Sequence, residues 1–390
     1  MTEQKFPSKT PTIDKRSWFQ RFGSSLRGVV TGLLLFIIAF PILIWNEGRA
    51  IQTHQSLEKG ASIVESSDPA VIDPDQDGKL IHFTGETRTP SILTDNTFSI
   101  SENAIKLKRI VELFQWSEST AIETVEGMDG NTETITSYAY QKVWDDQLID
   151  STGFQERLGH ENPQNKPLEN EEQVAAPVSV SAYTLSDRLV RSLSDYERLS
   201  LNSDLLAGLP NTQQEQWQVF NNYIYQSDNP SNPLIGDVRI WYQIIRPGMV
   251  SVIAKQNGDS LEPYQTENGR SIEMIRTGQV AAEEMFEGVI QDNRLSTWLF
   301  RILALIFMYI GLNTLLVPIS TFLSVIPLFA KVFHYASKLL TFIIALVISL
   351  IIIGIVWLIY RPLIGLLVLL MVVVVVFLFS KLRKKSRSKN

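Results

Sequence analysis

After Ser296 the chain contains no aspartate or glutamate, although its 390 residues hold 41 of them. Charged side chains keep a soluble surface hydrated, so a long acid-free stretch points to a different solvent. The same stretch carries long apolar runs. Residues 339–360 and 362–380 are uncharged, and 298–317 holds a single charge, Arg301. A further uncharged run, 29–45, lies near the N-terminus. A helix rises about 1.5 Å per residue, so runs of this length cover roughly 25–33 Å and can cross a hydrocarbon core. The expected fold is a multi-span α-helical membrane protein with four transmembrane helices at 29–45, 298–317, 339–360 and 362–380. A single soluble globule is excluded.

The formal net charge of −6 is a cancellation. Residues 1–28 hold 6 Lys/Arg and 2 Asp/Glu, and residues 297–390 hold 10 Lys/Arg and no acid. The segment between carries a net −20. Basic residues flanking membrane spans mark the cytoplasmic side. Residues 1–28 therefore read as a cytoplasmic basic arm, 381–390 as a cytoplasmic basic tail, and the number of spans is even. Residues 46–296 become a large extracytoplasmic or luminal domain, and 318–338 a cytoplasmic interfacial segment in which Pro327 is expected to make a kink. Arg361 falls in a tight outer turn. No small-residue cleavage site follows 29–45, so this run is expected to stay as an anchor. With the bases confined to short terminal clusters, nucleic-acid binding is excluded. The chain has no cysteine, and 46–296 has no Asn-x-Ser/Thr sequon. Both absences lean toward a bacterial exported domain.

That domain reads as α+β. Strand patterns occupy 79–87, 104–116, 134–144, 218–226, 237–245 and 250–256, the last two joined by the turn signal Arg246-Pro247-Gly248. Asp129-Gly130-Asn131 signals a turn before 134–144. Leu185, Leu189, Leu193 and Tyr196 recur at helical spacing, with Thr184 and Asp187 as a capping box. A helix over 280–296 is expected to run into the second span. Long polar loops lie around 159–175 and 202–215.

Few residues suggest chemistry. Asp73, Asp75, Asp77 and Gly78 open like a calcium loop. The twelfth position, which should supply a bidentate glutamate, is Thr84, so an Asp-rich turn is the favoured reading. His54, His82, His160 and His334 are not at metal-ligand spacing. His160, beside Glu161 in Gly159-His160-Glu161-Asn162-Pro163, is the most suggestive, against the more ordinary reading of a side-chain-bonded turn. No catalytic, cofactor-binding or metal signature is found. Within the spans, Arg301 is close enough to the outer boundary to snorkel there, and Asn313 is expected to bond a neighbouring helix.

Scattered strings carry a resemblance. They are Asn46-Glu47-Gly48-Arg49-Ala50, Leu107-Lys108-Arg109 with Glu112 and Gln115-Trp116, and Gly159-His160 with Asn162-Pro163. Further strings are Asn229-Pro230 with Pro233, Gly236-Asp237 with Arg239, and Val252-Ile253-Ala254 with Gln256 and Gly258-Asp259. Met308 with Leu312-Asn313, and Tyr360-Arg361-Pro362-Leu363, complete the set. The chain resembles the transmembrane protein 43 family, also called LUMA, along nearly its whole length. In animals the resemblance implies the endoplasmic reticulum or inner nuclear membrane, self-association, and organisation of complexes with emerin and lamins; for a bacterial relative the cell (inner) membrane is expected. The family has no established catalytic residues, so none are carried over.

The expected function is a non-enzymatic membrane scaffold that forms homo-oligomers and engages membrane lipids and other membrane proteins through its outer domain. Alternatives are a hydrolase or lipid-modifying enzyme with a site near His160, and a lipid or ion conduit formed by an oligomer.

Overall fold

The computed structural model describes residues 12–16, 18–126, 132–202, 216–323, 327–371 and 373–374. Among the described residues, the α-helices are α1 (Trp18–Ile63), α2 (Asp187–Ser192), α3 (Ala282–Leu323), α4 (Pro327–Tyr360) and α5 (Pro362–Met371). The chain forms two compact units. One contains Gly60–Glu123 and Ile135–Met285, and the other Ile13–Lys59, Thr124–Thr134 and Phe286–Asn390.

In the first unit, alternation decides which faces are buried. Val238, Ile240, Tyr242 and Ile244 of the strand Val238–Ile245 point inward, with polar or half-buried residues between them. This strand pairs antiparallel with Lys106–Glu126, from Val238 opposite Leu113 to Ile245 opposite Lys106. The order across this sheet is Thr132–Asp145, Lys106–Glu126, Val238–Ile245, Tyr223–Gln226 and Gln218–Phe220. A second sheet is centred on Leu80–Arg88 and Met249–Asn257, paired antiparallel from Met249 opposite Glu86 to Lys255 opposite Leu80. The two sheets share one apolar core. Ile81, Phe83, Val250 and Val252 of the second meet Leu107, Val111, Leu113, Ile240 and Ile244 of the first.

The strand expected over 218–226 is a hairpin. Asn221 and Asn222 take φ of +48° and +63°, the left-handed pair that a two-residue hairpin turn needs and that asparagine tolerates. Arg246-Pro247-Gly248 does not fold its flanking strands onto each other. It carries the chain from one sheet to the next, where the Gly248 carbonyl accepts from the Thr87 amide and hydroxyl. The expected helix over 185–196 shrinks to α2, capped by Ser186, whose Oγ accepts from the Leu189 amide at 3.2 Å, and not by Thr184. Its apolar period reports burial, because Leu185, Leu189 and Leu193 all enter the core. The expected loop around 159–175 ends in a strand, Glu171–Val174. Asp129-Gly130-Asn131 and most of the loop expected at 202–215 lie outside the described residues.

One charged group crosses this core. Asp95, Arg109 and Tyr242 are 4%, 7% and 0% exposed. Asp95 Oδ2 accepts from Arg109 Nη1 and from the Tyr242 hydroxyl, each at 2.6 Å. Arg109 also reaches Glu171 at 3.1 Å and the Glu169 carbonyl. Burial pushes the Asp95 carboxyl up, but hydrogen bonds from Tyr242, the Thr97 amide and Arg109 outweigh it and leave the group below its usual range. Burial likewise drives the Tyr242 phenol upward, so it remains a donor. Lys106, its ammonium lowered by burial, donates to the Arg191 and Leu193 carbonyls at 2.7 and 2.8 Å, closing the C-terminal end of α2.

In the second unit, α1 does not end with the apolar run 29–45. It continues through Asn46-Glu47-Gly48-Arg49 to Ile63, 46 residues in all. Among the described residues, three helical segments are long and apolar enough to cross a membrane: Gly28–Ile63, Ala282–Pro318 and Lys338–Tyr360. α5 covers only Pro362–Met371 of the expected fourth span, and beyond it only residues 373–374 are described. In the segment expected as a kinked interfacial piece, α3 runs on to Leu323, and Pro327 opens α4 where a proline's missing N–H costs no helical bond. Thr12–Arg16, within the expected basic arm, is a strand. Ala39, Leu43, Ala304, Met308, Ala345 and Ile352 form the packed centre of this unit. Between α1 and α3 the approach is backbone on backbone: a Cβ on Gly311 would lie 2.7 Å from the Gly32 oxygen and 2.9 Å from the Phe36 nitrogen. Small residues allow such crossings, which is how apolar helices gain contact when lipid is as apolar as they are.

Gly311→Val is therefore expected to force α1 and α3 apart, costing about 1–3 kcal/mol and lowering the melting temperature of the detergent-extracted protein. An unchanged melt would remove the crossing. Asp95→Ala leaves Arg109 with only Glu171 and the Glu169 carbonyl, and the Tyr242 hydroxyl without its acceptor, at a cost of about 1–3 kcal/mol. Because the folded Asp95 carboxyl is depressed, its stabilisation is full above the ordinary aspartate value near about 3.9 and disappears as pH falls through the lower folded value. Thermal melts between pH 7 and strong acid should lose that part of their slope in the variant.

A polar clamp among the helices as the candidate functional site

Asn293, Thr297 and Arg301 recur every fourth residue on α3 and so share one helical face. Asn46, Glu47 and Arg49 of α1 and Trp357 of α4 meet them. Glu47 is 0% exposed and sits at the centre. Its Oε1 accepts from Arg301 Nε at 2.6 Å, and its Oε2 from Arg301 Nη2 at 2.8 Å and from the Trp357 indole at 2.7 Å. The guanidinium is held in a two-bond fork, with its carbon 4.9 Å from the Trp298 ring centre and 5.8 Å from that of Trp357. Arg301, a candidate contact residue of the second span, is thus engaged by a carboxylate of α1.

Beside this pair, Asn46 Nδ2 donates to the Thr297 carbonyl at 3.1 Å, and Arg49 Nη1 to Asn293 Oδ1 at 3.1 Å. Asn293 returns a bond to the Ala50 carbonyl at 3.0 Å. Gly48 brings α1 close to the Tyr360 hydroxyl, which a Cβ there would touch at 3.5 Å. Further along, Asn313 Oδ1 accepts from the Thr341 hydroxyl at 3.0 Å, tying α3 to α4. The clamp can hold three helices in fixed register, and its one carboxylate is fully engaged. A cavity of about 260 Å³ opens against it, lined in part by Glu47, Arg301 and Trp357.

Most of the other residues singled out in the sequence lie in the first unit. Trp116, His160 and Asn162 form a group. Asn162 Oδ1 accepts from the Trp116 amide at 2.7 Å, and its Nδ2 donates to the Trp116 and Ile149 carbonyls. The His160 ring stacks on Tyr140 at 3.9 Å and meets the Trp116 ring edge-on at 4.6 Å, while Nδ1 lies 2.8 Å from the Glu156 carbonyl. Burial and a hydrogen bond to Glu118 push the Tyr140 phenol up to about 12. Glu161 accepts from the Gly159 amide at 2.9 Å. Pro163 packs over Gly236, whose φ is +99°. Asp237 accepts from the Ser227 hydroxyl and Leu234 amide, and Arg239 binds Glu112 with its guanidinium over Trp144 and Tyr223. Pro163 and Asp237 line a wide groove of about 870 Å³ together with Lys166, Trp217 and Asp228.

The acidic loop is built as a turn. Asp73 accepts from the Asp75 amide and Asp77 from the Gly258 amide, while Thr84 sits in a strand, bonded to Ser251 at 2.7 Å. Among the described residues, no group of three or more His, Asp or Glu could hold a metal ion. The clamp partners Asn293, Thr297 and Trp357 were not singled out from the sequence. Their one signal is the four-residue spacing of polar residues leading into Arg301.

The family model for Transmembrane protein 43 matches residues 113–362. Human Transmembrane protein 43 is 30% identical over 374 residues, which cover 92% of this chain and 91% of that protein. The mouse protein of the same name is 31% identical over 367 residues, covering 91% and 90%. The Drosophila melanogaster homolog is 27% identical over 350 residues, covering 86% and 89%. No solved structure matches. The chain is a membrane protein with several apolar helices and a large α+β domain, and it belongs to the Transmembrane protein 43 family.

Proposed function

We propose that this chain is a non-enzymatic membrane scaffold, with four spans, both termini in the cytoplasm, a self-associating helical unit and an outer domain that engages membrane-protein partners. The observation that carries the reading is the way the strongest polar groups are used. Glu47 is saturated by Arg301 and Trp357, and the His160 ring is stacked on Tyr140. Groups held this way fix geometry, whereas a catalytic acid or base needs a reacting proton within reach. His160 also lines neither the 260 Å³ cavity nor the 870 Å³ groove. On the helices, exposed apolar side chains such as Leu33, Ile37, Leu299 and Leu367 suit lipid or a second copy equally well. The groove, with Trp217 beside charged Lys166 and Asp228, offers the aromatic and ionic chemistry that protein partners use.

Glu47→Ala should leave Arg301 buried and uncompensated, lowering stability by about 3–5 kcal/mol, and a Glu47→Leu/Arg301→Leu pair should recover much of that loss. Melting curves of the detergent-extracted protein read both. Single variants that melt like the parent would dismiss the clamp as a structural device. Cross-linking of the full chain in its own membrane should yield a defined oligomer and specific co-purifying proteins. A protein that stays single-copy and brings down nothing would end the scaffold reading.

A further inference from the structure

The cavity beside the clamp has a charge that the clamp does not use. Its lining includes Glu47, Arg294, Arg301, Arg361, Trp298 and Trp357. Glu47 and Arg301 cancel each other in a two-bond pair. His54, also on the wall, lies 3.3 Å from Glu58. That leaves Arg294, about two turns before Arg301 on α3, and Arg361, at the junction of α4 and α5. Among the described residues, neither guanidinium has an ion pair or a side-chain hydrogen bond. Two uncommitted guanidinium groups on one cavity wall repel each other and favour an anion between them. Their planar forks match the oxygens of a phosphate.

The surroundings say which kind of phosphate. Trp298 and Trp357 are the residue type that settles where lipid meets water. Apolar side chains near the cavity-lining residues in sequence stand exposed: Leu295 at 62%, Ile359 at 73% and Leu363 at 78%. A free inorganic anion would gain nothing from such a surround, whereas acyl chains would cover it. No uncommitted carboxylate lines the cavity to receive a choline or ammonium group. We propose that the cavity holds the headgroup phosphate of an anionic phospholipid, gripped by Arg294 and Arg361, with its chains lying along the apolar surface of α3 and α4. The site rests on the membrane placement of these helices and is independent of the scaffold role.

Native mass spectrometry of the full-length protein in neutral detergent tests it, with phosphatidylglycerol, phosphatidylcholine and inorganic phosphate as separate probes. Phosphatidylglycerol should be retained about ten-fold better than phosphatidylcholine, the difference of roughly one or two charge-assisted contacts. Arg294→Gln/Arg361→Gln should bring it down to the phosphatidylcholine level, and Arg294→Lys/Arg361→Lys should keep part of the preference. Each single glutamine variant gives an intermediate loss should the pair fold poorly, with melting in phosphatidylcholine micelles as the folding control. Equal retention of the two lipids, or a glutamine pair that still prefers phosphatidylglycerol, would overturn the assignment. So would displacement of the lipid by equimolar inorganic phosphate, which would make this a free-anion site. Loss of oligomers with lipid retention intact would count against the scaffold alone.

Discussion

The ion pair between Glu47 and Arg301 is the constraint around which the helical unit is arranged. A carboxylate and a guanidinium at the edge of apolar spans are each costly to bury alone, and the desolvation penalty of one is offset only by close approach of the other. That requirement fixes the rotation of α1 about its axis, because Glu47 must face α3. It fixes the axial register of α3, because Arg301 must arrive at the same level. Trp357 then adds α4 through the second carboxylate oxygen. Apolar packing at Ala39, Leu43, Ala304 and Met308 could tolerate small slips along the axis; a bidentate salt bridge tolerates none. The helix crossing at Gly32 and Gly311 supplies closeness, and the clamp supplies specificity.

The first unit solves a similar problem in a different solvent. Its core buries Asp95 and Arg109 between apolar strands, and again a third group, Tyr242, takes the remaining lone pair. In both units the charges are joined by an aromatic donor with a single N–H or O–H. Such a donor satisfies one oxygen without adding charge, while its ring continues the apolar packing. The buried charge is thereby made compatible with a core that is otherwise Ile, Val, Leu and Phe.

Three of the four expected spans were legible because apolar length is a one-dimensional property, and a run such as 339–360 is the same whatever packs against it. The α+β character and most strands were legible for a related reason, since alternation along 237–245 records burial on one face. What was hidden depends on partners far away in the chain. The partner of Arg301 was hidden because Glu47 lies 254 positions before it, and nothing local to either residue announces the other. Arg246-Pro247-Gly248 was readable as a turn, but a turn signal gives a change of direction and not the sheet that the next strand joins. The four-residue spacing of Asn293, Thr297 and Arg301 was readable, but it is shared by many exposed helices. The resemblance marked Asn46-Glu47-Gly48-Arg49 as a string, and only the folded chain gives it a job.

The extension of α1 past its apolar run now has a physical reason. A span ending at residue 45 would leave Asn46, Glu47 and Arg49 to a loop, where water could satisfy them at no structural gain. Continuing the helix keeps them at i, i+1 and i+3 on a rigid frame, so that all three meet α3 and Glu47 meets α4 as well. The same rigidity governs α3, where Arg294 and Arg301 stand seven residues apart on nearly one face. One of them is neutralised by α1 and the other is left open. Helical continuity thus allows one row of polar residues to be closed against protein at one level and open to a ligand one or two turns away.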